Sequence, residues 1–200
     1  MSARGGPPGG HDRGVSLPEL VVALAIVIGL TSLVTPLTAS VIDSSRARQA
    51  AGFAAARFRA AKQQAVMTTA STGLVFDLTE NRWTFRVCAD GNGNGLRRAD
   101  IRGGTDGCVD SPVDVAALFP GVEIAVDPAI RGPDGEPPSS DPVRFGTSNL
   151  ASFAPTGGCT PGSLFLRSAR GVQYAVRIAG ATGRTRVLRY DPAARSWKDA

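Results

Sequence analysis

The pattern of hydrophobic and polar positions divides the chain into two parts with different periodicities. Residues 20–39 carry no charge, and these 20 residues would span about 30 Å as a helix, the thickness of a bilayer's hydrocarbon core. Beyond them, apolar residues recur at helical spacing as far as about Thr69: Ile42, Ala50, Phe53, Ala54, Ala61 and Ala65. The pattern predicts one long N-terminal helix, uniformly apolar at first and amphipathic afterwards.

The periodicity changes after Ser71, where short runs rich in β-forming residues alternate with Gly and Pro. The first two runs, 72–78 and 83–88, are separated by four residues, a length suited to a hairpin. Further strands are predicted at residues 122–126, 143–145, 164–167, 172–178 and 185–190. The segment 128–142 is rich in Pro, Gly and acids and is expected to be an exposed loop. These elements predict an α+β fold, with an antiparallel sheet packed on the helix.

A carboxylate, Glu19, lies directly before the apolar segment, in the stretch Gly14-Val15-Ser16-Leu17-Pro18-Glu19-Leu20. Burying Glu19 without a partner would cost about 2.5–3.5 kcal/mol on membrane-insertion scales. Cleavage after Gly14 would create a positive amino terminus at Val15, about one helical turn from Glu19. The stretch therefore predicts a processing site fused to an anchor.

These residues resemble the type III signal sequence of type IV pilins and type II secretion pseudopilins. The resemblance implies that a prepilin peptidase cuts after Gly14 and methylates the new terminus at Val15. It also implies that Glu19 pairs with such a terminus while subunits assemble into a filament. The expected partners are this peptidase, other pilins or pseudopilins, and the inner membrane.

The resemblance gives a domain organisation and a location. Residues 1–14 would be a cleaved leader, 15–42 a transmembrane and filament-core helix, 43–70 its amphipathic continuation, and 71–200 an extracytoplasmic head. The protein would cross the inner membrane once. Two alternatives are an uncleaved anchor and a secretory signal peptide, although the latter should not open on a carboxylate. Arginines are more numerous beyond the apolar segment than before it, so the positive-inside rule does not support a cytoplasmic leader.

Composition favours a structural or binding role over catalysis. Aromatic residues make up only 6% of the chain, while 24 Gly and 14 Pro indicate a loop-rich fold. The only histidine, His11, lies in the expected leader, and there is neither a nucleophile elbow nor a phosphate-binding Gly loop before a helix. We therefore expect no enzymatic activity.

Three cysteines bear on the redox environment. Cys88 and Cys108 bracket a polar loop, and a disulfide between them would contribute about 3 kcal/mol in an oxidising compartment. The alternative is that all three thiols are reduced. The state of Cys159 is left open.

The loop Asp90-Gly91-Asn92-Gly93-Asn94-Gly95 follows the first half of a calcium-binding loop, in which oxygen ligands alternate. The closing acid is out of register, because Ile101 occupies the twelfth position and Asp100 comes one residue early. The candidate ligands are Asp90, Asn92, Asn94 and Asp100, with Asp106 or Asp110 left to complete the coordination. The alternative is a Gly/Asn-rich turn without a metal, which the positive φ tolerated by Asn-Gly favours.

A second resemblance lies in the C-terminal part. The segment Phe153-Ala154-Pro155-Thr156-Gly157-Gly158, two strands, and then Gly183-Arg184-Thr185-Arg186 resemble the GspH/FimT group of minor pilins and pseudopilins. Together with the anchor, this resemblance covers most of the chain. It implies a type IV pilin-like fold.

The C-terminal segment is also the basic part of the chain. Residues 161–200 contain eight Arg or Lys against two Asp, whereas residues 71–160 contain seven Arg against twelve acids. Arg184 and Arg186 should lie on one face of a strand, with Arg189 nearby. In FimT-type minor pilins such a segment is associated with DNA binding during uptake. The alternative is a structural turn and strand that contacts other subunits.

Overall fold

The computed structural model describes residues 16–109 and 111–200, except for the side chains of residues 31–37. The chain divides into two compact units, Met1–Ala39 and Ser40–Ala200. Gly14 and Val15, the predicted processing site, lie outside the described residues.

The first element is helix α1, Leu17–Thr68. At its start, the carbonyl of Ser16 accepts hydrogen bonds from the amides of Glu19, at 3.0 Å, and Leu20, at 3.1 Å. A Ser before the helix with a Glu three residues later is the sequence pattern of a capping box. At the other end, Thr69 has a φ of 54° and leaves the helical conformation. The helix therefore ends one residue before the predicted position.

Among the residues that the structure describes, no helix has a stretch long and apolar enough to cross a membrane. The predicted span over residues 20–39 includes positions 31–37, whose side chains fall outside the described part of the chain.

In the unit Ser40–Ala200, helix α1 presents a buried face made almost entirely of alanine. Small side chains allow a sheet to approach the helix closely, and the single large residue on this face fills the space that remains. The fully buried members are Ala47, Ala50, Ala51, Ala54, Ala55, Phe58 and Ala65. The predicted amphipathic helix over 43–70 has its apolar face here.

The first sheet is antiparallel and has β1 (Thr72–Thr79) between β2 (Arg82–Ala89) and β7 (Leu150–Phe153). Two very short strands, β3 (Gly107–Cys108) and β4 (Val113–Asp114), pair with β2. The β1–β2 turn contains only Glu80 and Asn81, which have φ of 51° and 63°. Two positive φ values are the signature of a type I′ turn, so the hairpin is tighter than the four-residue connection predicted.

The second sheet is also antiparallel and runs in the order β11–β10–β9–β8–β5, with β6 also paired to β8. Its strands are β5 (Val122–Glu123), β6 (Val143–Arg144), β8 (Gly162–Ser168), β9 (Gln173–Ala179), β10 (Arg184–Asp191) and β11 (Ser196–Asp199). The two remaining helices are short: α2 (Arg98–Gly103) and α3 (Val115–Leu118). The structure is therefore α+β, with an N-terminal helix and a β-rich C-terminal part.

Phenylalanines connect the helix to both sheets. The ring of Phe58 on α1 lies 6.2 Å from that of Phe76 on β1 and 5.5 Å from that of Phe145, just after β6. Phe76 and Phe145 stack with an interplanar angle of 7°. Aromatic pairs at these separations each add about 0.5–1.5 kcal/mol beyond area burial. This cluster is the centre of the main core.

The segment after β5, predicted as an exposed loop over 128–142, is fixed to the second sheet. The indole N–H of Trp197 donates to the carbonyl of Arg131 at 2.8 Å. The guanidinium of Arg177 forms an ion pair with Asp134. Many of its side chains are exposed, as expected, but its course is determined by contacts with strand residues.

Two glycines provide a matched test of this packing. A Cβ at Gly73 would lie 2.4 Å from the carbonyl oxygen of Ala151 on β7, whereas a Cβ at Gly52 on α1 would meet nothing within 4 Å. We expect Gly73→Ala to lower the free energy of unfolding by about 1–3 kcal/mol through overpacking. We expect Gly52→Ala to raise it by about 1 kcal/mol through helix propensity. Equilibrium denaturation measures both, and equal effects of the two changes would contradict the close β1–β7 approach.

Candidate functional site

The N-terminal unit shows an apolar helix surface that follows a single carboxylate. Glu19 is exposed and occupies the first turn of α1, where a negative charge interacts favourably with the helix dipole. The large apolar side chains that follow Ser16 are more than half exposed: Leu17, Leu20, Val21, Val22, Leu24, Ile26, Val27, Ile28 and Leu30. The structure thus places Glu19 at the beginning of this apolar surface.

The two cysteines predicted to pair do so in the structure. Cys88 on β2 and Cys108 on β3 are directly opposite in register, and their sulfur atoms are 2.03 Å apart. The bond closes a loop that contains the predicted calcium ligands and α2. Cys159 is a half-buried free thiol, and its sulfur lies 3.3 Å from the carbonyl oxygen of Ala179. Burial raises the pKa of the Cys159 thiol.

The candidate calcium loop is organised by hydrogen bonds between carboxylates and backbone amides. One oxygen of Asp90 accepts from the amides of Asn92 and Gly93, and the other accepts from Gly95 at 2.7 Å. The side-chain amide of Asn94 donates to Asp100 at 3.0 Å. Within the described ranges, no three His, Cys, Asp or Glu side chains are grouped in a way that could hold a metal ion. The hydrogen bonds make this loop an ordered turn, and the calcium site stays a prediction.

Asp106, which the sequence offered only as one of two acids that could complete a calcium site, organises the same loop. Its carboxylate is buried and accepts from the amides of Gly91 at 3.1 Å and Arg97 at 3.0 Å. Asp90 and Asp106 therefore hold opposite sides of the loop through backbone N–H groups. The sequence signal was only an acid near the end of the loop, with no spacing to identify its role.

The same loop is attached to the first sheet by Arg98, a residue that sequence reasoning missed. Its guanidinium forms an ion pair with Asp77 at 2.6 Å and donates to the carbonyls of Phe76, Ser148 and Asn149. Charged hydrogen bonds contribute about 1.5–3 kcal/mol when they are partly buried. Arg98 therefore joins the disulfide loop to the edge where β1 meets β7.

The three arginines proposed to bind DNA do not form one surface. Arg184 and Arg186 lie on the same face of β10, as expected. Arg189 lies on the opposite face, which it shares with Val187, two residues earlier, and Val187 packs against the main core. Sequence proximity thus does not bring all three guanidinium groups together.

Arg186 is occupied by an intramolecular partner. Its guanidinium binds both carboxylate oxygens of Asp199 on β11, with the shortest contact at 2.6 Å. The hydrogen bonds to Asp199 raise the pKa of Arg186, and the same bonds lower the pKa of Asp199. Any phosphate at Arg186 must compete with this bidentate carboxylate.

Arg184 belongs to a different group of cations. It lines an open groove of about 740 Å³ together with Arg59 and Lys62 of α1. The ammonium group of Lys62 donates to the carbonyl of Thr182 at 2.7 Å, which places it beside the β9–β10 turn. Val66 and Met67 provide an exposed apolar side to the groove. Within the described part of the chain, no acidic residue lines this groove.

Comparison with known proteins leaves the family undetermined: no family model, no curated protein and no solved structure matches the chain.

The loop around Asp90 provides a test of its electrostatics. Burial tends to raise the pKa of Asp90, but the amide bonds from Gly95, Asn92 and Gly93 outweigh it, so the pKa lies below its ordinary value of 3.8. Because the folded-state pKa is lowered, the stabilisation is present above the ordinary pKa and is lost as pH falls through the folded-state value.

We therefore expect Asp90→Asn to lower the free energy of unfolding at about pH 6, and this difference to be smaller at a pH below the ordinary value of 3.8. Urea denaturation at both pH values measures it. Glu123→Gln, at an exposed carboxylate outside the loop, is the control. A difference that is the same at both pH values would contradict the role given to the amide bonds.

Proposed function

We propose that this chain is a minor pilin or pseudopilin of the GspH/FimT type, a structural subunit of a type IV pilus or of a type II secretion pseudopilus. A prepilin peptidase would remove residues 1–14. The observation that carries the proposal is the exposed apolar surface of α1 that begins directly after Glu19.

The apolar surface requires a cover. Each apolar side chain left in water forgoes about 1.5–3 kcal/mol compared with full burial. Leu20, Leu24 and Leu30 are 53%, 52% and 60% exposed. A bilayer before assembly and neighbouring helices after it would both bury such side chains. We therefore propose an inner-membrane protein with a single span and an extracytoplasmic head.

Glu19 determines the axial position of each α1 helix relative to the helices of neighbouring subunits. An ionised carboxylate within packed apolar helices is costly unless a cation is placed beside it. The amino group of Val15, released by processing, supplies that cation in a neighbouring subunit. The arrangement in which Glu19 pairs with this amine is favoured. Any arrangement shifted along the helix axis is less stable, because it leaves both charges unpaired.

The second unit supplies the head. Its buried alanine face fixes α1 to both sheets, and the disulfide and Arg98 hold the loop at one edge. In this proposal the head makes subunit contacts in the filament and carries out no chemistry. In the same proposal, the Asp90 loop is an ordered turn of the head.

Mass spectrometry of the protein from its native membrane tests the processing step. We expect a chain that begins at Val15 with a methylated amine. Gly14→Leu should leave the leader in place, because it removes the small residue at the cut. A wild-type chain that retains Met1, or begins at the end of the apolar segment, would contradict the proposal.

The same preparation tests the role of Glu19. We expect Glu19→Gln to be processed but to enter filaments poorly, and Glu19→Asp to restore part of the assembly because the charge is kept. Co-purification with sheared filaments measures incorporation. Equal incorporation of Glu19→Gln and wild type would show that the charge has no role.

A second candidate function is DNA binding during uptake, favoured by one observation. The guanidinium of Arg184 is exposed and, among the described residues, has neither a hydrogen bond nor an ion pair. Such a group can bind phosphate without first breaking an internal contact. Arg186 and Arg189 belong to the same proposal, but one is paired with Asp199 and the other lies on the opposite face.

Retention of a short DNA duplex at low salt tests this second candidate. We expect Arg184→Gln to weaken retention more than Arg186→Gln, because Arg186 is engaged by Asp199. Each lost phosphate contact should reduce the slope of log affinity against log salt by about 0.9. Arg170→Gln, in the exposed β8–β9 turn, is the control. Equal retention by wild type and an Arg184→Gln, Arg186→Gln double variant would exclude DNA binding by this strand.

A further inference from the structure

Two surfaces of the unit Ser40–Ala200 have complementary chemistry. The first, the basic groove, is lined by Arg59, Lys62, Val66, Met67 and Arg184. Among the described residues, the guanidinium groups of Arg59 and Arg184 have neither hydrogen-bond nor ion-pair partners. Among the described residues the lining holds three cations and no acid, although Asp199 interacts electrostatically with Arg184. The local excess of positive charge favours an anionic partner.

The basic groove also has an apolar side. Val66 is 53% exposed and Met67 is 83% exposed. Methionine adapts its shape to an incoming apolar group, so these residues suit an aliphatic side chain. No aromatic residue lines the groove, so it provides no stacking platform for the bases of a single-stranded nucleic acid. Its chemistry favours a protein segment that combines an acid with an aliphatic residue.

The second surface lies at the β1–β2 hairpin and consists of Leu78, Glu80 and Glu123. We call it the acidic tip, and it combines an aliphatic side chain with acids. Leu78 is 54% exposed, and Glu80 follows it in the turn. Two surface depressions adjoin this hairpin, and Glu123 lines both. Glu80 also lines the first depression, and Leu78 also lines the second. The nearby cation Arg82 is paired with Asp114 at 3.5 Å, which leaves Glu80, Glu123 and the exposed Asp141 of the second depression as the available charges.

We propose that the acidic tip of one copy of this chain docks into the basic groove of the next copy. Leu78 would contact Val66 and Met67, and the two glutamates would face Arg59, Lys62 and Arg184. The two surfaces lie on different elements, the tip between β1 and β2 and the groove between α1 and the β9–β10 turn. The contact is therefore heterologous, and it propagates along a chain of subunits without closing into a symmetric dimer.

This inference rests on the proposed function in one respect. The surfaces are small compared with the roughly 800 Å² per partner of a stable interface, so they would not hold two free molecules together. Packed α1 helices would keep neighbouring heads at a high effective concentration, at which a weak contact is sufficient. The contact determines how adjacent heads are oriented within an assembly that the helices form.

Cysteine cross-linking of the full-length chain in its membrane tests the contact. Met67→Cys and Leu78→Cys are made on separate copies, each with Cys159→Ser so that the native free thiol does not react. We expect mild oxidation to give a mixed disulfide between the two copies. Ala194→Cys, in the exposed β10–β11 turn, replaces Leu78→Cys in the control and should give only background product.

Charge reversal gives the second readout. We expect Arg184→Glu on the copy that carries Met67→Cys to reduce the mixed disulfide about tenfold, as expected for the loss and reversal of surface ion pairs. Glu80→Lys on the other copy should restore it. The restored product is informative because a variant that had merely failed to fold would not recover.

Three results would overturn the proposal. The first is a mixed disulfide that does not exceed the Ala194→Cys control, and the second is a mixed disulfide that charge reversal leaves unchanged. The third is that no mixed disulfide forms while Arg59→Gln and Arg184→Gln abolish retention of a DNA duplex, which would assign the groove to nucleic acid. Chains that begin at Val15 and co-purify as filaments without the mixed disulfide would refute this contact and leave the filament proposal standing.

Discussion

The close approach of both sheets to helix α1 is the constraint on which the rest of the head depends. It requires a helix face of alanines, because a larger residue at Ala50 or Ala54 would force the sheets away. Phe58 is the exception, and its ring packs against those of Phe76 and Phe145. The narrow face on one side of the helix leaves its basic residues on the others, which is why Arg59 and Lys62 are available at the surface.

The excess of arginine in the C-terminal part does not form a single basic surface. Arg177 is bound by Asp134 and Arg186 by Asp199, so both guanidinium groups act mainly within the head. Arg184, two residues before Arg186, instead joins cations of α1. The balance of charge in a segment is thus a poor measure of the charge presented to a partner, because neighbouring strands neutralise some positions and leave others available.

The long helix, the first hairpin and the main strands of the second sheet were predictable because hydrophobic period determines them locally. The strands β7 and β11 were missed, since each has only four residues. In addition, β7 pairs with the distant strand β1, whereas β11 pairs with the preceding strand β10. The roles of Arg98 and Asp106 were also beyond sequence reasoning. Arg98 reaches carbonyl groups some 50 positions away, and no local pattern records such a contact. The Cys88–Cys108 pair was within reach because two cysteines bracket a single polar loop.

The edges of both sheets are made of very short strands. On the first sheet, β3 and β4 cover β2 with two residues each, and β7 forms the other edge with four. On the second, β5 and β6 contribute two residues each and β11 four. Short edges present few unpaired backbone groups in a row, so they are poor templates for strand addition from another chain. In the proposed filament, recognition of the head by a neighbour would therefore depend on side chains, and single substitutions would alter which neighbour is accepted.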